Sequence, residues 1–277
     1  MRTIATIAAW GAGLVSIGVG AALLTSGIEF GLGAPKAQPA LAQTCPPVVS
    51  IAPRGPGQPP DDVLGVRLGF TISDVAATLT CIDEDYKIRF EAVWHTMERS
   101  AARDARQLMY AERKRELLAA GLVGAPGQER VAAIWRTVQY APDEAPLRAA
   151  PEAELARHFG TPHRIEETKL RRVLVWAYDP NGLPLKLPPK DTGAAGVLQN
   201  VGDWIAGTVT VPQCAERLRA SPLDKPDFGA DCGLTIRAEI EAALDAPDKV
   251  SSVKLMLADQ ARAKALIEGY RKSREQR

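Results

Sequence analysis

Few residues in this chain carry reactive chemistry, and their spacing limits what they can do. There are three histidines, His95, His158 and His163, and four cysteines, Cys45, Cys81, Cys214 and Cys232. His158 and His163 flank Gly160 and Pro162, which helix termination already explains, so the pair reads as solvated or core-satisfied rather than as metal ligands. His95 follows the buried face of an amphipathic stretch, and nothing beside it in sequence makes it a general base. No two cysteines have C-x-x-C spacing and no histidine accompanies them, which argues against a metal centre. Acidic runs such as Asp61-Asp62 and Asp83-Glu84-Asp85 lack the spacing of a calcium loop and read as turn and solvation residues. There is no nucleophile elbow, dinucleotide fingerprint or phosphate loop. No catalytic, cofactor-binding or metal-ligating residue is expected, and no cofactor.

The cysteines instead indicate a compartment. An even number in an exported chain suggests disulfides. Four cysteines allow three pairings, and proximity along the sequence favours Cys45–Cys81 and Cys214–Cys232. The N-terminus agrees. Thr3 to Ile28 is uncharged and follows Arg2, the pattern of an export signal or a membrane span. Ala40-Leu41-Ala42 before Gln43 fits a signal-peptidase site, although Glu29 and Lys36 make its c-region long. Residues 1–42 are thus either a cleaved signal peptide or an uncleaved anchor. Both place the remainder outside the cytoplasm, in a bacterial periplasm.

The chain has 277 residues, 46% apolar and 24% charged, which is ordinary for a globular protein. Its formal net charge of +1 removes the basic excess that general nucleic-acid binding needs. The part after residue 42 carries 32 basic and 32 acidic residues, so long-range charge steering identifies no partner.

Residues 43–62 hold six prolines and two glycines and read as a linker. Beyond it the pattern predicts an α+β fold of mostly antiparallel strands with short helices. Two lobes, 63–190 and 197–277, are allowed by the Pro/Gly-rich stretch between them. Thr71 with Asp74 forms a capping-box pattern and opens a helix to about Cys81. Tyr86, Ile88, Phe90, Ala92 and Trp94 then alternate with charged residues, as in a half-buried strand. Residues 95–120 favour helix by composition, though Leu117–Val123 and Val131–Tyr140 also read as a hairpin. Pro151 and Gly160 bracket a second helix, followed by a strand from Arg172 to Tyr178, a turn, and a return through Leu183, Leu185 and Leu187. Further strands are expected at Thr208–Val211, Leu234–Glu241 and Ser252–Leu257. Asp259 then caps a final helix with the stripe Ala263, Leu266, Ile267 and Tyr270 and a basic end. Helix followed by strand occurs at Thr71–Trp94 and again at Pro151–Tyr178, a faint internal echo.

Gly69-Phe70-Thr71-Ile72-Ser73-Asp74-Val75 resembles the glycine–hydrophobic–threonine helix start of the SmpA/OmlA (BamE-type) envelope lipoproteins. Phe159-Gly160-Thr161-Pro162 with Trp176-Ala177-Tyr178 is similar to that family's Leu-Gly-Thr-Pro and Trp-x-Tyr elements. The two patches lie far apart here, and the lipid-bearing cysteine is missing. The resemblance implies a small α+β envelope module.

Together these features point to an exported envelope protein of non-enzymatic type, structural or protein-binding. Another envelope protein is the expected partner, and the membrane is a second contact if the N-terminal segment stays uncleaved. The alternative is a periplasmic hydrolase whose site the sequence does not reveal.

Overall fold

The computed structural model describes residues 51, 55, 57–92, 107–125, 127–186, 214–218 and 228–276. The chain divides into two units, Met1–Pro39 and Ala40–Arg277, and every described residue lies in the second. The expected leader, Cys45, His95, Trp94 and the strand expected at Thr208–Val211 fall outside the described residues.

The described chain opens with a small hairpin, β1 (Asp62–Val63) and β2 (Val66–Arg67). Its turn places Leu64 at φ 52° and Gly65 at φ 74°, the positive values that a two-residue I′ turn requires. Arg67 closes the hairpin by donating from Nε and Nη2 to the two oxygens of Asp61, at 3.0 and 2.9 Å. Helix α1 (Ile72–Ile82) follows, and its cap is the predicted one. The Asp74 N–H donates to Thr71 Oγ1 at 3.2 Å, and the Thr71 N–H donates to Asp74 Oδ2 at 2.8 Å.

Strands β3 (Lys87–Ala92), β4 (Gln107–Arg113), β5 (Glu116–Val123) and β6 (Arg130–Gln139) come next. Helix α2 (Ala149–Phe159) and strands β7 (Arg164–Glu167) and β8 (Arg171–Ala177) follow. The chain ends with α3 (Cys214–Arg217), β9 (Leu234–Ala242), β10 (Val250–Asp259) and α4 (Gln260–Glu275). Among the described residues, eight strands form one antiparallel sheet in the order β3-β4-β5-β6-β10-β9-β8-β7. The fold is therefore α+β and mostly antiparallel. β9 and β10 lie between β6 and β8, so strands from both sides of the allowed lobe boundary share one hydrogen-bonded surface.

The order has an internal symmetry. One helix followed by a four-stranded meander occurs twice, as α1-β3-β4-β5-β6 and as α2-β7-β8-β9-β10, with α3 inserted in the second. The last strands of the two units, β6 and β10, pair with each other. Each unit also ties the residues before its helix to the start of its fourth strand. In the first, Gly69 N–H donates to Val131 O and Val131 N–H to Phe70 O, at 2.7 and 2.9 Å. In the second, Arg148 N–H donates to Asp248 O and Val250 N–H to Pro146 O, at 2.9 and 3.0 Å. The helix–strand echo in the sequence is the start of this repeat.

Residues 107–113 are strand, where composition favoured helix. Leu108 and Tyr110 face one core and Met109 and Ala111 face the other. Burial on both faces overrides the propensity of an Ala- and Arg-rich segment. The hairpin reading of β5 and β6 holds, with an irregularity at Gly121/Leu122. A Cβ on Gly121 would come within 3.0 Å of the Trp135 ring, so close packing explains the glycine. Strand β7 was not anticipated. The return through Leu183 and Leu185 reduces to a single bridge, Tyr178 to Pro184, and Leu187 lies outside the described residues.

Helices α1 and α2 cover one face of the sheet, and α4 covers the other. The first core contains Leu79, Met109, Leu118, Ile134, Trp176, Ile236 and Leu257, all buried. The second contains Trp135 and Met256 against Ala263 and Ile267 of α4. Gln260, fully buried at the start of α4, pins this layer. Its Nε2 donates to Cys214 O at 2.8 Å and Thr235 Oγ1 at 3.1 Å, while its Oε1 accepts from Gly229 N–H at 3.2 Å. Gln260→Leu removes these bonds and leaves the Gly229 N–H without the acceptor it has inside the protein. It should lower the unfolding free energy by about 3 kcal/mol in urea titration.

Candidate functional site

At the end of the sheet where β6 finishes and β10 begins, three loops meet. They are the segment before α2, the β7–β8 turn and the β9–β10 turn. Arg148 joins them: Nη1 donates to Glu167 Oε1 at 3.1 Å, and Nη2 to Lys169 O and Pro247 O at 3.4 and 3.2 Å. Ala242 N–H donates to Leu170 O at 2.8 Å. Each loop carries an outward leucine, with Leu147 59%, Leu170 38% and Leu244 83% exposed.

The same end holds a polar knot. Buried Glu116 accepts from Arg136 Nε at 2.6 Å and from Arg113 Nη2 at 3.1 Å. Arg113 also bonds Asp83 and lies over the Tyr86 ring, 5.1 Å from its centroid. Burial, reinforced by the charge of Glu116, pushes the Tyr86 hydroxyl up to about 12. The Asp85 N–H, then Arg113, hold Asp83 below the usual carboxylate range. Both guanidinium groups bond Glu116, so it is arranged as a counter-ion rather than as a free base.

A second polar set lies on the α4 face of β7 to β10. In β9 its residues alternate with Leu234, Ile236, Ala238 and Ile240, the pattern of a strand with one solvent face. The structure instead buries Glu239 and Glu166 and pairs them. Arg237 Nη2 reaches Glu239 at 2.7 Å, and Arg164 Nη2 reaches Glu166 at 2.8 Å and Glu216 of α3 at 2.5 Å. Burial opposes the charge on Glu241, but hydrogen bonds from Lys254 and Ser252 outweigh it and keep its pKa below the ordinary value.

Of the sequence-derived candidates, Cys214, Cys232, His158 and His163 sit at the opposite end, whereas Cys81 lies in the last turn of α1, two residues from Asp83 of the polar knot. Cys214 and Cys232 form a disulfide that fixes α3 beside Ala177 of β8. Cys81 is also disulfide-bonded. His158 Nε2 lies 3.6 Å from Asp62 Oδ1. His163 Nδ1 lies 3.1 Å from the Ala177 backbone nitrogen and 2.9 Å from its oxygen, with the ring edge-on to Tyr178. Among the described residues there is no group of three His, Cys, Asp or Glu placed to hold a metal ion, and no helix long and apolar enough to cross a membrane.

Sequence reasoning missed both polar sets and the leucine tips. Arg136 and Glu116 lie on strands whose pairing only the fold supplies, and an exposed leucine looks like a buried one in a sequence. The chain matches no protein-family profile, no curated protein and no solved structure.

Two outcomes are expected here. Replacing Cys214 and Cys232 by Ala should cost about 3 kcal/mol of stability, as for a loop of sequence separation 18, measured by denaturant unfolding. Burial holds His163 below its ordinary value of 6.5, so the unfolded chain takes up a proton first as pH falls. Stability should be level above about pH 7.5 and decline as pH drops through 6.5 towards the folded pKa. His163→Asn, which can still accept from Ala177, should flatten that part of the profile in pH-dependent melting curves.

Proposed function

We propose that this chain is an extracytoplasmic envelope protein, secreted or membrane-tethered. It works by binding another envelope protein through an edge of its sheet. The Cys214–Cys232 disulfide supports an oxidising compartment. The uncharged run from Thr3 to Ile28 supports export, and the Gly69–Val75 resemblance to envelope lipoproteins agrees.

The binding reading is carried by Phe90. This side chain is 55% exposed on β3, which is an outermost strand among the described residues. An outer strand offers unpaired backbone groups, and a large apolar side chain beside them adds contact area for an incoming strand. Arg89 next to it is neutralised by Glu112 at 2.6 Å and lies 4.7 Å from the Tyr110 ring centroid, so the edge is not guarded by a free cation there.

The test is co-purification of the C-terminally tagged full chain from native envelopes in mild detergent. A partner near stoichiometry should be recovered with the parent and lost with Phe90→Ser, with both proteins melting alike. Recovery of the same partner by Phe90→Ser, or a solitary parent, overturns the reading. The same mass spectra report whether the mature chain begins at Gln43 or retains Met1.

A further inference from the structure

We propose that the loop end carrying Leu147, Leu170 and Leu244 dips into the lipid–water interface of the membrane. This rests on the tethered form of the function above. The three exposed leucines sit on adjoining loops that Arg148 bridges, at one end of the sheet.

Their exposure is not forced by the repeat. Phe70 stands two residues before α1 as Leu147 stands two residues before α2, and Phe70 is buried. The fold can cover an apolar side chain at this position, and in the second unit it leaves one outside.

The size of the patch favours lipid over protein. Three leucines on loop tips offer a few hundred Å² at most, whereas a stable protein interface needs roughly 800 Å² from each partner. Insertion into a bilayer interface needs no matching surface, because each apolar side chain contributes on its own. The rim is mixed: Lys169 and Arg171 flank Leu170, Lys249 shares the β9–β10 turn with Asp245 and Asp248, and Glu144 pairs with Arg115 at 3.2 Å. The contact is therefore apolar and does not depend on anionic lipid.

Reach is sufficient. Sixteen residues, 29–44, separate the apolar run from Cys45, the expected partner of Cys81, and a chain of that length can span at most about 55 Å. A ten-residue strand is about 33 Å long. A domain so tethered can turn its leucine end to the bilayer, and the tether supplies the local concentration that three side chains lack.

The experiment uses the full chain reconstituted in phosphatidylcholine vesicles with or without bromine on the acyl chains. Tryptophan is introduced as Leu244→Trp or Leu170→Trp, with Leu183→Trp as control. Leu183 is 63% exposed on the turn after β8, at the other end of the sheet. All variants should float with the vesicles. Beyond the loss shown by the parent chain, whose Trp10 lies in the apolar run, the tryptophan added at 244 or 170 should lose emission in brominated vesicles, and the one at 183 should add no loss. Flotation without quenching at 244 and 170 keeps the tether and overturns the lipid contact. A dimeric mass in that case assigns the patch to a second copy, and a monomeric one leaves it to another protein. Equal quenching at all three positions also overturns the contact. Failure to float removes the tether and the inference with it.

Discussion

The seam between β6 and β10 makes one protein of two half-sheets. Ile134 faces Leu257 across it, Trp135 faces Met256, and Arg136 faces Leu255. Each half is one helix and four strands, too small to bury both faces of its own sheet. Joined, the two halves share an apolar layer under α1 and α2, and α4 crosses behind the seam to close the other side. The same join removes the edges of the two strands that lie innermost, so exposed ladder groups remain only at the outer strands, β3 and β7, among the described residues.

That architecture explains why so many charges are buried. A sheet covered on both faces has no solvent side for the polar half of an alternating strand. Arg237 and Glu239 of β9 therefore pair with each other, and Arg164 of β7 pairs with Glu166 and with Glu216 of α3. Removing one member of such a set leaves the other charge uncompensated, so the set is kept or lost as a whole. The disulfide at Cys214 and the amide of Gln260 hold α3 beside this layer, where Glu216 completes the pairing of Arg164.

Local punctuation was legible in the sequence. Thr71 with Asp74, Gly160 after Phe159, and Asp259 before α4 each act within a few residues, and each stands where expected. The strands at Leu234–Glu241 and Ser252–Leu257 were equally clear. What the residues could not show was anything set by partners far along the chain. Residues 107–113 carry helix formers, yet become strand because β3 and β5 lie on either side. Glu116 is solvated in any short-range reading, and only the pairing of β5 with β6 brings Arg136 to it. The exposure of Leu147, Leu170 and Leu244 depends on which side of a loop faces the core, and residue type does not record that.

The order of the strands also bears on how the chain assembles. β6 is complete at Gln139, but the strand that closes its second edge begins at Val250. In a chain delivered from its N-terminus, the first half-sheet waits with an open edge while the second is still arriving. The edge is apolar on both faces around Ile134 and Trp135, and β10 of a neighbouring chain has the sequence to fill it. An exchange of β10 between two chains would preserve every hydrogen bond of the seam, so crowding while the second half is still arriving, rather than any weakness in the finished fold, is where this protein is most exposed to misassembly.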